Sequence, residues 1–245
     1  IVEVFYPEVI LSANSIISGN VDSDKNFFKL NIKSPQIIAY NSIINALNLQ
    51  IDNKNPLFNT QLTIDKLKSN MYNISDLHLV NKTLNDTLYL GAEFKGGIDD
   101  TEQYSLSLYH TFNKNNKSVF GIQKSNFTFK ENQWFINPEN NSDNKVVYDN
   151  TTKTYTFDSF VMTSKNQRID FEGVITDTKS KDIRLNFKDV NIGSITPAID
   201  SLELDGLING SFHYAQLNDQ IDPSANLSIS NFKINDSRQG DLKIN

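Results

Sequence analysis

Cysteine is absent from the sequence, so neither a disulfide framework nor a thiolate metal site can form. Histidine is scarce as well. His78, His110 and His213 each stand alone in a strand-like stretch, without a second histidine at the spacing that metal ligation requires. We therefore expect no metal site and no cofactor, and we interpret the three histidines as ordinary strand residues.

Clusters of basic residues and long apolar runs are also missing. The 29 acidic residues outnumber the 23 basic ones, which gives a net charge of −6. A surface of this charge repels nucleic acid, so we expect no nucleic-acid partner. No stretch approaches the roughly 20 consecutive apolar residues that a membrane-spanning helix needs. The sequence therefore predicts no such helix within its own length.

Motifs of catalysis are missing too. The sequence contains neither a Gly-x-Ser-x-Gly elbow nor a glycine loop of the kind that cradles phosphate. The stretch DSDKN (22–26) resembles the start of a calcium loop, but Phe27 and Lys33 stand where that loop requires Gly and Glu. The acidic residues of IDDTEQ (98–103) could transfer protons. Because they follow two glycines, we interpret them as a solvated turn and predict that the protein is not an enzyme.

Apolar and polar residues alternate along most of the chain, and this pattern is typical of strands with one apolar face. Short clusters of Gly, Pro, Asn and Asp separate these stretches, and such residues tolerate the dihedral angles of turns. Parallel strands need crossovers of about a dozen residues or more, so the short spacers predict antiparallel hairpins. The sequence therefore predicts an all-β fold with an antiparallel sheet, in a single continuous segment over residues 1–245.

One segment, SPQIIAYNSIINALN (34–48), fits two structures. Ser34 and Pro35 are suited to the start of a helix, and Ile37, Tyr40 and Ile44 would share a helical face. Alternation resumes directly afterwards, which favours a strand. We interpret the segment as strand, with a short helix within residues 34–46 as the alternative and as the one helix that the fold would contain.

The apolar face of such a sheet can pack on a second sheet, close into a barrel, or curl into a trough with an apolar interior. In the stretch 183–188, the odd-numbered residues are expected on the apolar side and the even-numbered ones on the water side. The single tryptophan, Trp134, fits either packing within the sheet or contact with an apolar ligand. The candidate lining positions follow the alternation: Phe28, Leu30, Ile32, Leu47, Leu49, Ile51, Leu62, Ile64, Leu106, Leu108, Phe127, Phe129, Trp134, Ile136, Ile169, Phe171, Ile183, Leu185, Phe187, Leu202, Leu204, Leu227, Ile229, Leu242 and Ile244.

Several stretches resemble the AsmA-like proteins of the Gram-negative envelope, of the TamB type. The strand-and-turn units IDNKNPLFNTQLTIDKL (51–67), NKTLNDTLYLGAEFKGG (81–97) and KSNFTFKENQWFIN (124–137) are similar to interior units of those proteins. Residues 167–245 follow the same order, with a strand pair, then NFKDVNIGSITP, then the return LDGLINGSF and a further hairpin. The resemblance covers roughly two-thirds of the chain.

This resemblance implies an elongated, curved antiparallel sheet that forms a U-shaped trough, a β-taco, with an apolar interior. Such proteins are proposed to conduct phospholipid through this groove between the inner and outer membranes, in support of outer-membrane biogenesis. The implied partners are phospholipid acyl chains and an outer-membrane barrel protein of the Omp85 type. Family members are anchored to the inner membrane by a helix that this sequence lacks. We therefore expect an interior, periplasmic segment of a much longer protein.

Two other classes stay open on composition alone. One is an extracellular adhesin or scaffold, built as a β-sandwich or β-solenoid around a closed core. The other is an enzyme with a β-sandwich fold that acts on carbohydrate. An accessible groove along the alternating residues would favour the lipid-conducting class, whereas complete burial of those residues would favour the other two.

Overall fold

The computed structural model describes residues 8–69, 72–97, 100–176, 179–196 and 202–245. It confirms the predicted all-β fold, because the described residues form antiparallel strand pairs, most of them between consecutive strands. They divide into two compact units, unit 1 up to Leu108 and unit 2 from Tyr109. The single continuous trough segment over 1–245 stays a prediction. Within the described ranges, no helix has the length and apolar character that crossing a membrane requires.

Unit 1 is a meander of antiparallel strands. Its strand β3 pairs with β4 along one side, while β2 and then β1 pair with successive parts of its other side. The strands β4, β5, β6 and β7 follow in order, each paired with the next. The bounds are β1 (Val9–Leu11), β2 (Ile16–Asp22), β3 (Phe27–Ala39), β4 (Ser42–Asp52), β5 (Thr60–Lys68), β6 (Ile74–Leu84), β7 (Thr87–Gly96) and β8 (Glu102–Phe112), which extends beyond the end of the unit.

The ambiguous segment is strand, which confirms the favoured interpretation. Ser34 does not cap a helix, since its buried hydroxyl donates to the carbonyl oxygen of Gln36 at 2.9 Å. Strand β3 ends at Ala39, and Tyr40 and Asn41 both have positive φ, as a two-residue hairpin turn requires. The helical alternative within 34–46 is therefore wrong. A short 3₁₀ turn occurs elsewhere, at Ile192–Ser194.

Unit 2 is a second antiparallel meander with a division at one end. Strands β13 to β18 follow each other in order along the sheet. The bounds are β9 (Ser118–Ile122), β10 (Ser125–Phe129), β11 (Asn132–Ile136), β12 (Lys145–Asp149), β13 (Thr154–Ser164), β14 (Gln167–Thr176), β15 (Ser180–Asn191), β16 (Leu204–Leu217), β17 (Gln220–Ile234) and β18 (Ser237–Ile244).

The division lies at β13. Its first half pairs with β12, and its second half pairs with β11. Strand β9 extends the sheet beyond β12, while β10 extends it beyond β11. On the β14 side of β13 the sheet of unit 2 is therefore continuous. On the other side of β13 it divides into two short branches, one formed by β12 and β9 and the other by β11 and β10.

The two faces of the sheet differ as the alternation predicts. On β15, Ile183, Leu185 and Phe187 are half-buried, whereas the residues between them, Arg184 and Asn186, are exposed, as is Lys188. Directly paired residues of antiparallel strands project to the same face, and the apolar pairs continue from β14 through β15 to β16. Unit 2 therefore has one apolar face and one hydrated face.

Part of the apolar face is a closed core. Trp134 is 2% exposed and lies in a buried cluster with Val190, Ile208, Ile229 and Ile169. Ile192 and Ile195, in and just after the 3₁₀ turn, pack against this cluster. The packing interpretation of Trp134 is confirmed.

Candidate functional site

The apolar face of unit 2 contains a cavity of about 570 Å³. Strands from both branches of the divided sheet contribute to it, together with β13, β14 and β15. All nine lining residues are apolar, and they are Ile122, Ile136, Val146, Phe157, Phe160, Met162, Ile169, Phe171 and Leu185. Such a lining offers no side-chain hydrogen bond, so it suits a ligand that is itself apolar.

Three phenylalanines form an aromatic wall in this cavity. The rings of Phe157 and Phe171 meet edge to face, with centroids 5.3 Å apart. Phe160 lies 6.4 Å from Phe157 and 6.2 Å from Phe171. A β-bulge in β13 between Phe157 and Phe160 adds one residue to the strand, which brings both rings to the same face.

Four of the predicted lining residues border this cavity: Ile136, Ile169, Phe171 and Leu185. Ile183 and Phe187 flank Leu185 on the same face of β15. Other predicted positions belong to the closed core beside the cavity. Trp134 and Ile229 are buried there, and Phe127, Phe129 and Leu227 pack against them.

The predicted residues of β3, β4 and β5 in unit 1 share one face of its sheet and form rows across these strands. Ile64 is buried in β5, and Phe28 near the start of β3 is exposed. Leu47 lies opposite Ser34, and Leu106 and Leu108 are half-buried in β8. Paired rows run across neighbouring strands: Leu30 with Ile51, and Ile32 with Leu49, Leu62 and Leu79.

The remaining predicted residues lie near the last strands. Leu202 is half-buried just before β16, which begins at Leu204. Leu242 and Ile244 are exposed on β18, where Ile244 pairs with Leu227. None of these borders the apolar cavity, and contact of any predicted position with lipid stays a prediction.

Five lining residues were missing from the predicted set: Ile122, Val146, Phe157, Phe160 and Met162. The sequence does contain a signal for the last two. Apolar residues occupy positions 155 and 157 and then 160 and 162, so the alternation changes phase within β13. Such a phase change predicts a bulge, and the structure has one.

An asparagine-rich loop joins the two branches of the sheet beside the cavity. The backbone N–H of Val161 donates to Oδ1 of Asn144 at 2.8 Å, and the Val161 carbonyl accepts from the N–H of Asn137 at 2.9 Å. Nδ2 of Asn137 donates to the carbonyl oxygens of Ile122 and Asn141. Both Asn137 and Asn144 are buried. The loop therefore takes the place of a neighbouring strand where β13 passes from β12 to β11.

Asn144→Ala is expected to lower the free energy of unfolding by about 1–3 kcal/mol, because it leaves the buried N–H of Val161 without its acceptor. Urea denaturation followed by circular dichroism measures the change. Ser142→Ala is the matched control in the same loop, since Ser142 is exposed and should change stability by less than about 0.5 kcal/mol. Equal stabilities of the two variants would contradict a structural role for the loop.

A second cavity, of about 500 Å³, lies between two turns of unit 2. Polar groups from the β8–β9 turn and the β12–β13 turn line it, together with the rings of Phe112 and Tyr148. Nζ of Lys117 lies 2.9 Å from Oδ2 of Asp149. The hydrogen bond from Lys117 and the backbone N–H of Thr151 lower the pKa of Asp149 to about 2, so this carboxylate is ionised at neutral pH.

In the described part of the acidic stretch at 98–103, the carboxylates of Asp100 and Glu102 both have partners. Glu102 accepts hydrogen bonds from the hydroxyls of Tyr72, at 2.6 Å, and Tyr104, at 2.8 Å. Burial and the contact with Glu102 raise the pKa of Tyr72, and burial together with both of these neighbours raises that of Tyr104. Asp100 lies 3.9 Å from Lys66, and Asp99 lies outside the described residues. The carboxylate of Glu102 is therefore held by two tyrosine hydroxyls.

The histidines have separate surroundings. His213 lies 3.0 Å from Asp182, His110 stacks on Phe120, and His78 contacts Gln61. In the part of the chain that the structure describes, no group of three or more His, Cys, Asp or Glu side chains is placed to hold a metal ion.

Comparison of the chain with family models, with curated proteins and with solved structures finds no match. The apolar cavity of unit 2 is the candidate functional site. Its aliphatic and aromatic lining can bind and desolvate an apolar chain, but it offers no group that could carry out a reaction.

Proposed function

We propose that this chain is a segment of a periplasm-spanning bridge protein that shields phospholipid acyl chains as they pass between the inner and outer membranes. The observation that carries the proposal is the apolar cavity of unit 2, whose nine lining residues are all apolar. Its volume of about 570 Å³ lies within the range of small-molecule binding sites.

The size and chemistry of the cavity fit one acyl chain. If a methylene group takes roughly the 30 Å³ of a water molecule, the cavity holds about 19 such groups. Each methylene group that leaves water contributes about 0.8 kcal/mol. An acyl chain has no hydrogen-bonding group along its length, so it loses no polar contact on entering a lining of this kind.

The exposure of the lining favours an accessible groove over a closed core. Of the nine lining residues, only Ile169 is buried, and the others are half-buried. The Trp134 cluster in the same unit shows full closure, with Val190 at 0% exposure. The same sheet therefore combines a packed core with an apolar region that keeps room for a ligand.

The partners in this proposal are those that the resemblance to AsmA-like proteins implies. They are the phospholipids themselves, an Omp85-type barrel protein in the outer membrane, and the inner membrane through an anchor outside this chain. The location that fits these partners is the periplasm. The cavity supports the first partner directly, because acyl chains are the part of a phospholipid that an apolar lining can bind.

Lipid capture by the purified 245-residue chain tests the proposal. The chain is incubated with vesicles of palmitoyl-oleoyl phospholipid, separated from them by size-exclusion chromatography, and analysed by native mass spectrometry. We expect a complex with at least one phospholipid per chain. A folded chain that leaves the vesicles without lipid would overturn the proposed function and would favour a β-scaffold with a closed core.

A further inference from the structure

A second row of side chains borders the apolar cavity on the same face of unit 2. Val146 of β12 and Phe157 of β13 line the cavity and pair directly with each other. Two residues away on the same strands, Tyr148 pairs with Tyr155. Residues two positions apart on a strand project to the same face, about 7 Å from each other. The second row therefore begins at the border of the cavity and on its own face.

This second row crosses the sheet from β12 to β16 by direct pairs of residues. The alternation is unbroken between this row and the cavity lining, because the register shifts of β13 and β15 begin only after Phe157 and Phe187. We call it the rim row, and its members are Tyr148, Tyr155, Ile175, Lys181 and Gln216.

Lys181 brings a positive charge to the apolar face. The neighbouring charged residues of β15, Asp182 and Arg184, project to the opposite face, where Arg184 lies 3.3 Å from Asp182 and 3.7 Å from Glu172. Lys181 is half-buried, and among the ion pairs of the described residues it has no carboxylate partner. The stem of a lysine can cover apolar surface while its ammonium group stays in water. Lys181 is therefore a cation beside the cavity that is open to an anionic ligand group.

Tyrosine hydroxyls accompany this lysine in the rim row. The rings of Tyr148 and Tyr155 stack with centroids 4.6 Å apart, and Tyr155 is 43% exposed. Neighbouring strands lie about 4.8 Å apart, so the backbones of Tyr155 and Lys181, two strands apart, are separated by about 10 Å. Their side chains can both reach a phosphate group between them. An ammonium group and a phenol both donate hydrogen bonds, and phosphate oxygens accept them.

We propose that the rim row binds the phosphate of the lipid whose acyl chain occupies the apolar cavity, and that Lys181 selects anionic headgroups, an inference that rests on the proposed function. Lys181 and the hydroxyl of Tyr155 donate to the phosphate oxygens. Phosphocholine carries a cation that already neutralises its phosphate, whereas phosphoglycerol carries none. The site therefore favours phosphatidylglycerol over phosphatidylcholine.

A competition between headgroups tests this inference. The 245-residue chain is incubated with vesicles of equimolar phosphatidylglycerol and phosphatidylcholine that carry the same palmitoyl and oleoyl chains. The chain is reisolated by size-exclusion chromatography, and its bound lipid is quantified by mass spectrometry. We expect about threefold enrichment of phosphatidylglycerol, the selectivity that one partly exposed ion pair can supply.

Lys181→Gln is the informative variant. It removes the charge but leaves the cavity lining unchanged, so the lipid ratio should fall to about one while the total lipid captured stays within about twofold. Lys181→Arg retains the charge and should retain the enrichment. The matched control is Lys188→Gln on the same strand, which makes the same change in net charge on the hydrated face and should leave the enrichment unchanged.

The outcomes separate this inference from the proposed function. If the chain captures both lipids in the vesicle ratio, or if Lys181→Gln and Lys188→Gln lower the enrichment equally, the rim row does not select the headgroup, while lipid binding stands. If no lipid is captured at all, the proposed function fails and the inference fails with it. Soluble glycerol phosphate provides a third arm. Should it bind the lipid-free chain as tightly as phosphatidylglycerol does, the row is a site for a soluble phosphate ester and the inference is wrong.

Discussion

Phe171→Asp is expected to reduce phospholipid capture by at least about tenfold while leaving most of the fold intact. Phe171 lies in the aromatic wall of the apolar cavity, next to Phe157 and opposite Leu185. Without lipid, water can enter the half-exposed cavity and hydrate the new carboxylate. With an acyl chain in place the carboxylate would lose that water, and burial of an unpaired charge costs several kcal/mol. The penalty therefore falls on the complex rather than on the free protein.

Native mass spectrometry after incubation with vesicles measures this effect, and far-ultraviolet circular dichroism checks the fold. Val174→Asp is the matched control, because Val174 lies on the same strand, is exposed, and projects to the opposite face. Its cost is limited to repulsion from Asp182 across the strand pair, about 0.2–1 kcal/mol. Equal lipid capture by the two variants would mean that acyl chains do not occupy the cavity.

Trp134→Ala is expected to lower the free energy of unfolding of unit 2 by about 3–5 kcal/mol. Trp134 is the largest fully buried side chain of the described residues. Its cluster packs β11 against the strands β14 to β17. Alanine would leave a void that the surrounding strands can fill only in part. Urea denaturation followed by circular dichroism gives the difference in stability.

Phe120→Ala provides the comparison for this loss. Phe120 is also a large aromatic residue of unit 2, but it is 50% exposed, so its replacement should cost about 1 kcal/mol or less. A loss for Trp134→Ala that is no larger than that for Phe120→Ala would show that the cluster is not the stabilising core of the unit.

The alternation of the sequence predicts the fold class and the two faces of the sheet. Strand β15 is the clearest case, since Ile183, Leu185 and Phe187 are half-buried and the residues between them are exposed. The period of a strand is two residues, so the face of each side chain follows from its position once the strand is identified. Composition predicts many of the turns, because Asn, Asp and Gly occupy most of the positions where φ is positive, although Tyr40, Lys130 and Glu131 also have positive φ.

The composition of the cavity was only partly predictable. Phe160 and Met162 follow a bulge that shifts the alternation by one residue, so a strict period of two assigns them to the wrong face. Phe127 and Ile229 alternate like cavity residues, yet they belong to the closed core. Which apolar residues meet a void and which meet each other depends on the packing of distant strands, and a local period carries no information about that packing.

The asparagine loop shows a second limit of sequence patterns. Asn is common throughout the chain, and the stretch around residue 140 is typical of a solvated loop. Asn137 and Asn144 are nevertheless buried, because their amide groups satisfy the backbone of Val161 and Ile122. Burial of a polar side chain becomes favourable only when specific partners are present, and those partners lie 15 and 17 residues away.

The single tryptophan of the chain also has an optical consequence. Indole fluorescence reports on one place in this protein, the closed core beside the apolar cavity, where Met162, Ile169 and Leu185 belong to the surroundings of both. A heavy-atom quencher carried on an acyl chain would therefore act on a defined emitter at short range, whereas the same quencher dissolved in water would be kept from it. The protein thus contains a natural spectroscopic probe for the occupancy of its own cavity.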